Sequence, residues 1–80
     1  MKQQRDFPRG TVTPKGERAL LGGHPWVYGE EVLSWDRPPE DGELADVVSQ
    51  GGKYLGTGFV NLTSKIRVRV LSRNANDRFD

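Results

Sequence analysis

The sequence predicts a mainly β domain, a small barrel or half-open sheet with one short helix near its start. Three observations carry that expectation. Residues 43–50 and 53–61 are β-prone runs separated by Gly51-Gly52, the spacing of a hairpin with a two-residue loop and positive φ angles. Ile66 to Ser72 alternates Ile66, Val68 and Val70 with Arg67, Arg69 and Leu71, the period of two that marks a strand buried on one face. One helix signal, with no second helical segment, leaves strands to build the remaining core.

Thr13-Pro14 opens the helix, because Thr accepts an orphan amide bond as N-cap and Pro loses nothing by lacking its N–H at the first helical position. The helix runs from Pro14 to about Leu21, where Gly22-Gly23 ends it and Pro25 forbids its resumption. At 100° per residue, Lys15, Arg18 and Gly22 share a wet face while Glu17, Leu20 and Leu21 point the other way, toward the core. Pro25 to Leu33 is too apolar for a free loop and too short for a long helix, so it is expected to be strand-like and to run into a single turn. Residues 35–42 hold two prolines, a glycine and three acids, loop chemistry and the expected site of disorder. The hairpin and the final strand follow. Asn76 to Asp80 has the form of a cap and first turn of a further helix. The expected organisation is therefore a flexible stretch over 1–10, a folded domain over 11–73, and over 74–80 the start of a linker to a next domain.

The chain has 80 residues, room for one small domain. Leu, Ile, Val and Phe supply 19 of those 80 positions, above the level of roughly 20% below which chains stay disordered. Cysteine is absent, which removes disulfides, thiolate zinc sites and cysteine nucleophiles and agrees with a cytoplasmic location. No apolar run approaches the length of about 18 residues that a spanning helix needs, so no membrane partner is expected. The formal net charge of +1 hides a segregation: residues 1–24 carry a net +3, residues 25–52 a net −6 and residues 53–76 a net +5 with no acid. If the two basic blocks meet in the fold, one face is positive.

Few residues carry catalytic chemistry. His24 is the only histidine and has no carboxylate or cysteine cluster at metal spacing around it, so capping or packing is its expected role. Gly56-Thr57-Gly58 lies inside a strand rather than between a strand and a helix, which favours a bulge or a close approach of backbones over a nucleotide loop. No serine or threonine sits in a nucleophile-elbow sequence. Arg67 and Arg69, two apart on a strand, present guanidinium groups to one side, a geometry suited to phosphate oxygens and equally common on surfaces that serve only solubility. Trp26, Tyr28, Trp35 and Phe59 offer faces for stacking on bases, although a domain this small needs at least two of them in its core.

Five runs occur in order: Lys15-Gly16-Glu17-Arg18; Leu20-Leu21-Gly22-Gly23-His24-Pro25-Trp26-Val27-Tyr28; Leu44-Ala45-Asp46-Val47-Val48; Gly52-Lys53-Tyr54-Leu55-Gly56; and Ser64-Lys65-Ile66-Arg67-Val68-Arg69-Val70. Together, from about Val12 to Leu71, they resemble the N-terminal PUA-like domain of class I S-adenosylmethionine-dependent ribosomal RNA methyltransferases, the family that includes the large-subunit cytosine-5 methyltransferase. The resemblance implies a PUA-like pseudo-barrel that binds ribosomal RNA for a methyltransferase domain absent from this chain. It implies no catalytic residue and no cofactor here, S-adenosylmethionine belonging to that missing domain. It places RNA between the first helix with its following loop and the last core strand, which selects Lys15, Arg18, Gly22, Gly23 and His24 on one wall and Arg67 and Arg69 on the other. Two positions depart from the pattern: Gly22-Gly23 stands where some members carry arginines, and Leu62 where others carry proline. His24-Pro25-Trp26 is expected to be a turn whose indole closes the barrel. A second functional class stays open, in which the same surface docks on the methyltransferase domain without touching RNA. Replacing both Arg67 and Arg69 by alanine is expected to weaken RNA binding with little loss of folding.

Overall fold

A computed structural model describes residues 7–73. Six strands and one helix follow the chain: β1 (Arg9–Val12), α1 (Pro14–Leu21), β2 (Trp26–Tyr28), a 3₁₀ turn at Gly29–Glu31, β3 (Val32–Trp35), β4 (Leu44–Val48), β5 (Tyr54–Val60) and β6 (Ile66–Ser72). They form one sheet in the order β2-β6-β5-β4-β1-β3, antiparallel except for the parallel β1–β4 pair. The mainly β class with one short helix is as the sequence predicts.

The two edge strands, β2 and β3, are joined only by the three-residue turn Gly29–Glu31. A flat sheet of six strands would hold its edges about 24 Å apart, whereas that link reaches at most roughly 14 Å. The sheet therefore curls into a half-barrel. Bulges supply the curvature: the register steps leave one extra residue at Leu33 in β3, at Leu55 in β5, and at Arg67 and Leu71 in β6. Inside the curl lie Val12, Leu20, Val27, Ala45, Val47, Leu55, Val60 and Val68, with Val32, Trp35 and Val70 packed against them.

The helix is capped as its sequence requires. Thr13 Oγ1 accepts from the Gly16 amide at 3.1 Å. At the other end Gly23, with φ of 100°, follows the Gly22 cap, and the amides of Gly23 and His24 donate to the Leu20 and Ala19 carbonyls, each at 3.0 Å. This is the Schellman arrangement, in which a left-handed glycine turns the chain out of the helix. Only Leu20 of the two leucines docks; Leu21 is 59% exposed. Successive helical residues diverge by 100°, and the face that meets the sheet is the Gly16–Leu20 stripe.

Four further expectations need correction. β1 begins at Arg9, inside the stretch expected to be flexible, and pairs with both β3 and β4. Trp35 belongs to β3 rather than to a loop, its ring lying over Gly10 and against the core. The β4–β5 hairpin does not turn on Gly51-Gly52 alone. The Ser49 amide donates to the Lys53 carbonyl at 2.8 Å and the Gly52 amide to the Ser49 carbonyl at 2.9 Å, with only Gly52 of the pair at positive φ. The result is a three-residue loop with a left-handed glycine at its end, whose twist suits right-twisted strands. The segment after β3, expected to be disordered, is tied by an Arg37–Glu43 ion pair at 2.8 Å and by the Glu40 amide donating to Glu43 Oε1 at 2.9 Å. The helix start expected at Asn76–Asp80 lies outside the described residues.

Candidate nucleic-acid interface

The Schellman turn leads directly into β2, so the loop after α1 is delivered to the sheet edge. There β2 pairs with β6 and places Trp26 opposite Arg69, Val27 opposite Val68, and Tyr28 opposite Ile66. Val27 and Val68 are both fully buried. Trp26 and Arg69 consequently stand on the outer face of the sheet. Trp26 is not the plug that the His-Pro-Trp run suggests: Val27 fills the core, while the indole Nε1 donates to the Tyr28 hydroxyl at 3.2 Å. The His24 ring meets the indole edge-on with centroids 5.0 Å apart. His24, Trp26 and Tyr28 thus form one cluster along the edge strand.

A second tie fixes that loop. Arg73, just beyond β6, donates from Nη1 to the Leu20 carbonyl at 2.6 Å and from Nη2 to the His24 carbonyl at 2.7 Å. It adds a second donor to the Leu20 carbonyl, bonds the His24 carbonyl beyond the helix, and fastens the end of the last strand to the turn before β2. Arg73 counts in the basic block of the sequence, yet nothing in a strand pattern points to a clamp across 53 residues of chain.

The predicted site residues divide. Gly22, Gly23, His24 and Arg69 gather around the β2–β6 edge, and Gly23 faces open space, with nothing within 4 Å of the position a Cβ would take. Lys15 and Arg18 are exposed on α1, which packs on β1, β2 and β5. Arg67 goes elsewhere. It is the extra residue of a bulge, half-buried, with its guanidinium laid on Gly29 so closely that a Cβ there would come 2.7 Å from Nη2. Its Nη1 donates to the Leu62 carbonyl at 2.8 Å and to the Asn61 carbonyl at 3.3 Å. Arg67 therefore links the β5–β6 turn to the 3₁₀ turn, contacts that the expectation of a purely surface role did not include. Beside it a surface crevice of about 430 Å³ is lined by Tyr28, Gly29, Glu30, Lys65 and Arg67.

Gly56-Thr57-Gly58 proves to be the close backbone approach that its place in a strand suggests. A Cβ on Gly58 would overlap the Arg69 carbonyl, so glycine lets β5 lie tight against β6 beside Arg69. Thr57 between them is fully buried, within 2.6 Å of both Asp46 Oδ1 and the Tyr54 hydroxyl. The acidic block is largely consumed in such ties: Glu31 and Asp46 are buried, and Glu43 is paired with Arg37. Among the described residues no group of three or more His, Asp or Glu could hold a metal ion, and no helix is long and apolar enough to cross a membrane.

Comparison with known proteins agrees with this architecture. Residues 11–73 match the family model of the PUA-like domain. The chain is 34% identical over 74 residues to a ribosomal RNA large subunit methyltransferase I of Klebsiella pneumoniae, a match covering 92% of this chain and 18% of that protein. It is 36% identical over 64 residues to the protein of the same name from Tolumonas auensis, covering 80% and 16% respectively. The chain spans less than a fifth of the length of these relatives. With the helix, the curled sheet and nearly the whole of its core inside the matched region, the chain belongs to the PUA-like domain family.

Proposed function

We propose that the chain is the RNA-binding module of a cytoplasmic, S-adenosylmethionine-dependent ribosomal RNA methyltransferase, of the kind that includes the large-subunit cytosine-5 enzymes. Its partners are ribosomal RNA and a methyltransferase domain, and the cofactor belongs to that domain. The observation that carries the proposal is the Trp26–Arg69 pairing, which joins the loop after α1 to the last strand. It brings the segment that follows the helix of Lys15 and Arg18 beside Arg69 of the second basic block, and exposed cations of this kind neutralise phosphates without regard to sequence. The similarity to ribosomal RNA methyltransferases over less than a fifth of their length supports a module that serves chemistry performed elsewhere.

The test is a titration of the chain with a fluorescent ribosomal RNA hairpin at low and at physiological salt. Binding should weaken steeply with salt, and Lys15→Ala, Arg18→Ala and Arg69→Ala should each lower the slope of log affinity against log salt by about one. A folded chain that binds at neither salt would refute the RNA role and leave docking on the methyltransferase domain in its place.

A further inference from the structure

The ladder registers place four residues in one row across the outer face: Trp26 on β2 opposite Arg69 on β6, Arg69 opposite Phe59 on β5, and Phe59 opposite Leu44 on β4. The residues next along the strands, Val27, Val68 and Val60, are in the core. Phe59 is 48% exposed although it sits on a central strand, and Tyr28, two residues along β2 from Trp26 and opposite Ile66, is 39% exposed. Arg69 is exposed, and no hydrogen bond or ion pair holds its guanidinium among the described residues. The row is also braced by its neighbours. Gly58 seats β5 against the Arg69 carbonyl, and Trp26 is braced by the Tyr28 hydroxyl and the His24 ring.

We infer that Trp26, Arg69 and Phe59 form a stacking platform for unpaired RNA nucleotides. This rests on the RNA-binding function proposed above and narrows it to single-stranded segments. Trp26 and Phe59 are two strand spacings apart, about 10 Å, so each ring meets a separate base while the guanidinium between them meets the phosphate that links those bases. A duplex keeps its base faces hidden in the stack and offers this row only its backbone. The adjoining crevice beyond Tyr28 is lined by Lys65 and Arg67 with the single acid Glu30, a net positive charge. An apolar protein surface satisfies the rings but leaves the guanidinium without a partner, whereas a nucleotide strand supplies both a flat face and an anion.

The experiment titrates the 80-residue chain with fluorescent ten-nucleotide oligouridine and oligoadenosine and with a blunt RNA duplex of equal length. Phe59→Ala, Phe59→Leu and Phe59→Trp run alongside, each checked for folding by circular dichroism. Phe59→Ala should weaken single-strand binding about tenfold. Phe59→Leu, which keeps apolar area without a flat face, should be nearly as weak, Phe59→Trp should bind at least as well as the parent, and duplex binding should not change. Single-strand affinity that is the same with Leu as with Phe, or equal losses on duplex and single strand, would overturn the platform while leaving an RNA module that reads only phosphates. A folded chain that binds neither form would overturn the platform and the RNA module together.

Discussion

Arg67 and Arg69 stand two residues apart on β6, and an alternating strand would give them the same face and the same role. Their surroundings separate them. Arg67 falls on a bulge, lies half-buried on Gly29 and is hydrogen bonded to two carbonyl oxygens of the turn before it. Arg69 falls on a regular rung, exposed between Trp26 and Phe59. One extra residue in the ladder is enough to turn a surface cation into a fastener of the fold. The lesson is that charge along a strand indicates function only after the register is known, because a guanidinium whose N–H groups already serve carbonyls has fewer left for phosphate.

The largest effect should come from breaking the rung that holds Arg69 in place. In Gly58→Ala the new Cβ meets the Arg69 carbonyl, which is backbone and cannot swing away, so β5 and β6 must separate. A loss of at least about 3 kcal/mol is expected in urea unfolding, at the upper end for overpacked sites. Next comes Arg67→Ala, which leaves two carbonyls of the β5–β6 turn without their donor at a partly wet site and should cost about 1–2 kcal/mol. Arg67→Lys should not restore it, because an ammonium lacks the planar fork that rests on Gly29. Arg73→Ala should cost about 1 kcal/mol, and its signature is local: amide exchange should accelerate at Gly23 and His24, whose turn Arg73 clamps. Arg69→Ala should change stability by less than about 0.5 kcal/mol, as surface substitutions do, while lowering the salt slope of RNA binding. A destabilised Arg69→Ala beside an untouched Arg67→Ala would reverse the comparison.

Much of the fold is legible in the sequence because its signals are local. The Thr13-Pro14 cap, the Gly22-Gly23 stop and the alternation of β6 each depend on residues within a few positions of one another, and they set the bounds of α1 and β6. What escapes is non-local. β1 is four residues long and owes its place to parallel pairing with β4, more than thirty positions on, which no local pattern announces. The bulges at Leu33, Arg67 and Leu71 arise from closing the sheet, and two of them explain why leucines stand 53% and 51% exposed on strands. For the candidate site, segregated charge points to α1 and β6, and the resemblance of the His-Pro-Trp run points to β2, which pairs with β6. The Trp26–Arg69–Phe59 row appears only once three strands are in register.

Arg37 shows what an exposed ion pair adds when neither bulge nor ladder commits it. Arg37 meets Glu43 at 2.8 Å, in the loop that leads into β4 beside the Leu44 end of the outer row. The Glu43 carboxylate is held below its ordinary pKa, first by the Glu40 amide that donates to it and then by the Arg37 guanidinium. A carboxylate whose folded pKa is depressed stabilises the fold fully above its unfolded value, and that contribution is lost as pH falls through the folded value. The loop should therefore loosen only on the acid side of the usual glutamate range, and no change is expected from this group between neutral pH and the onset of that range. The effect should be the smallest of those described, since the pair lies at the surface and water and salt screen it. Nuclear magnetic resonance of the Glu40 amide against pH is the sensitive measure: its shift should titrate with a midpoint below that of an unperturbed glutamate, and Glu43→Gln should abolish the titration while leaving the core resonances of Val27 and Val68 in place. A midpoint at or above the ordinary glutamate value would mean that the Glu40 amide and Arg37 do not hold the carboxylate in solution, and that the loop is fastened instead by the exchange of backbone bonds between residues 42–43 and Val60.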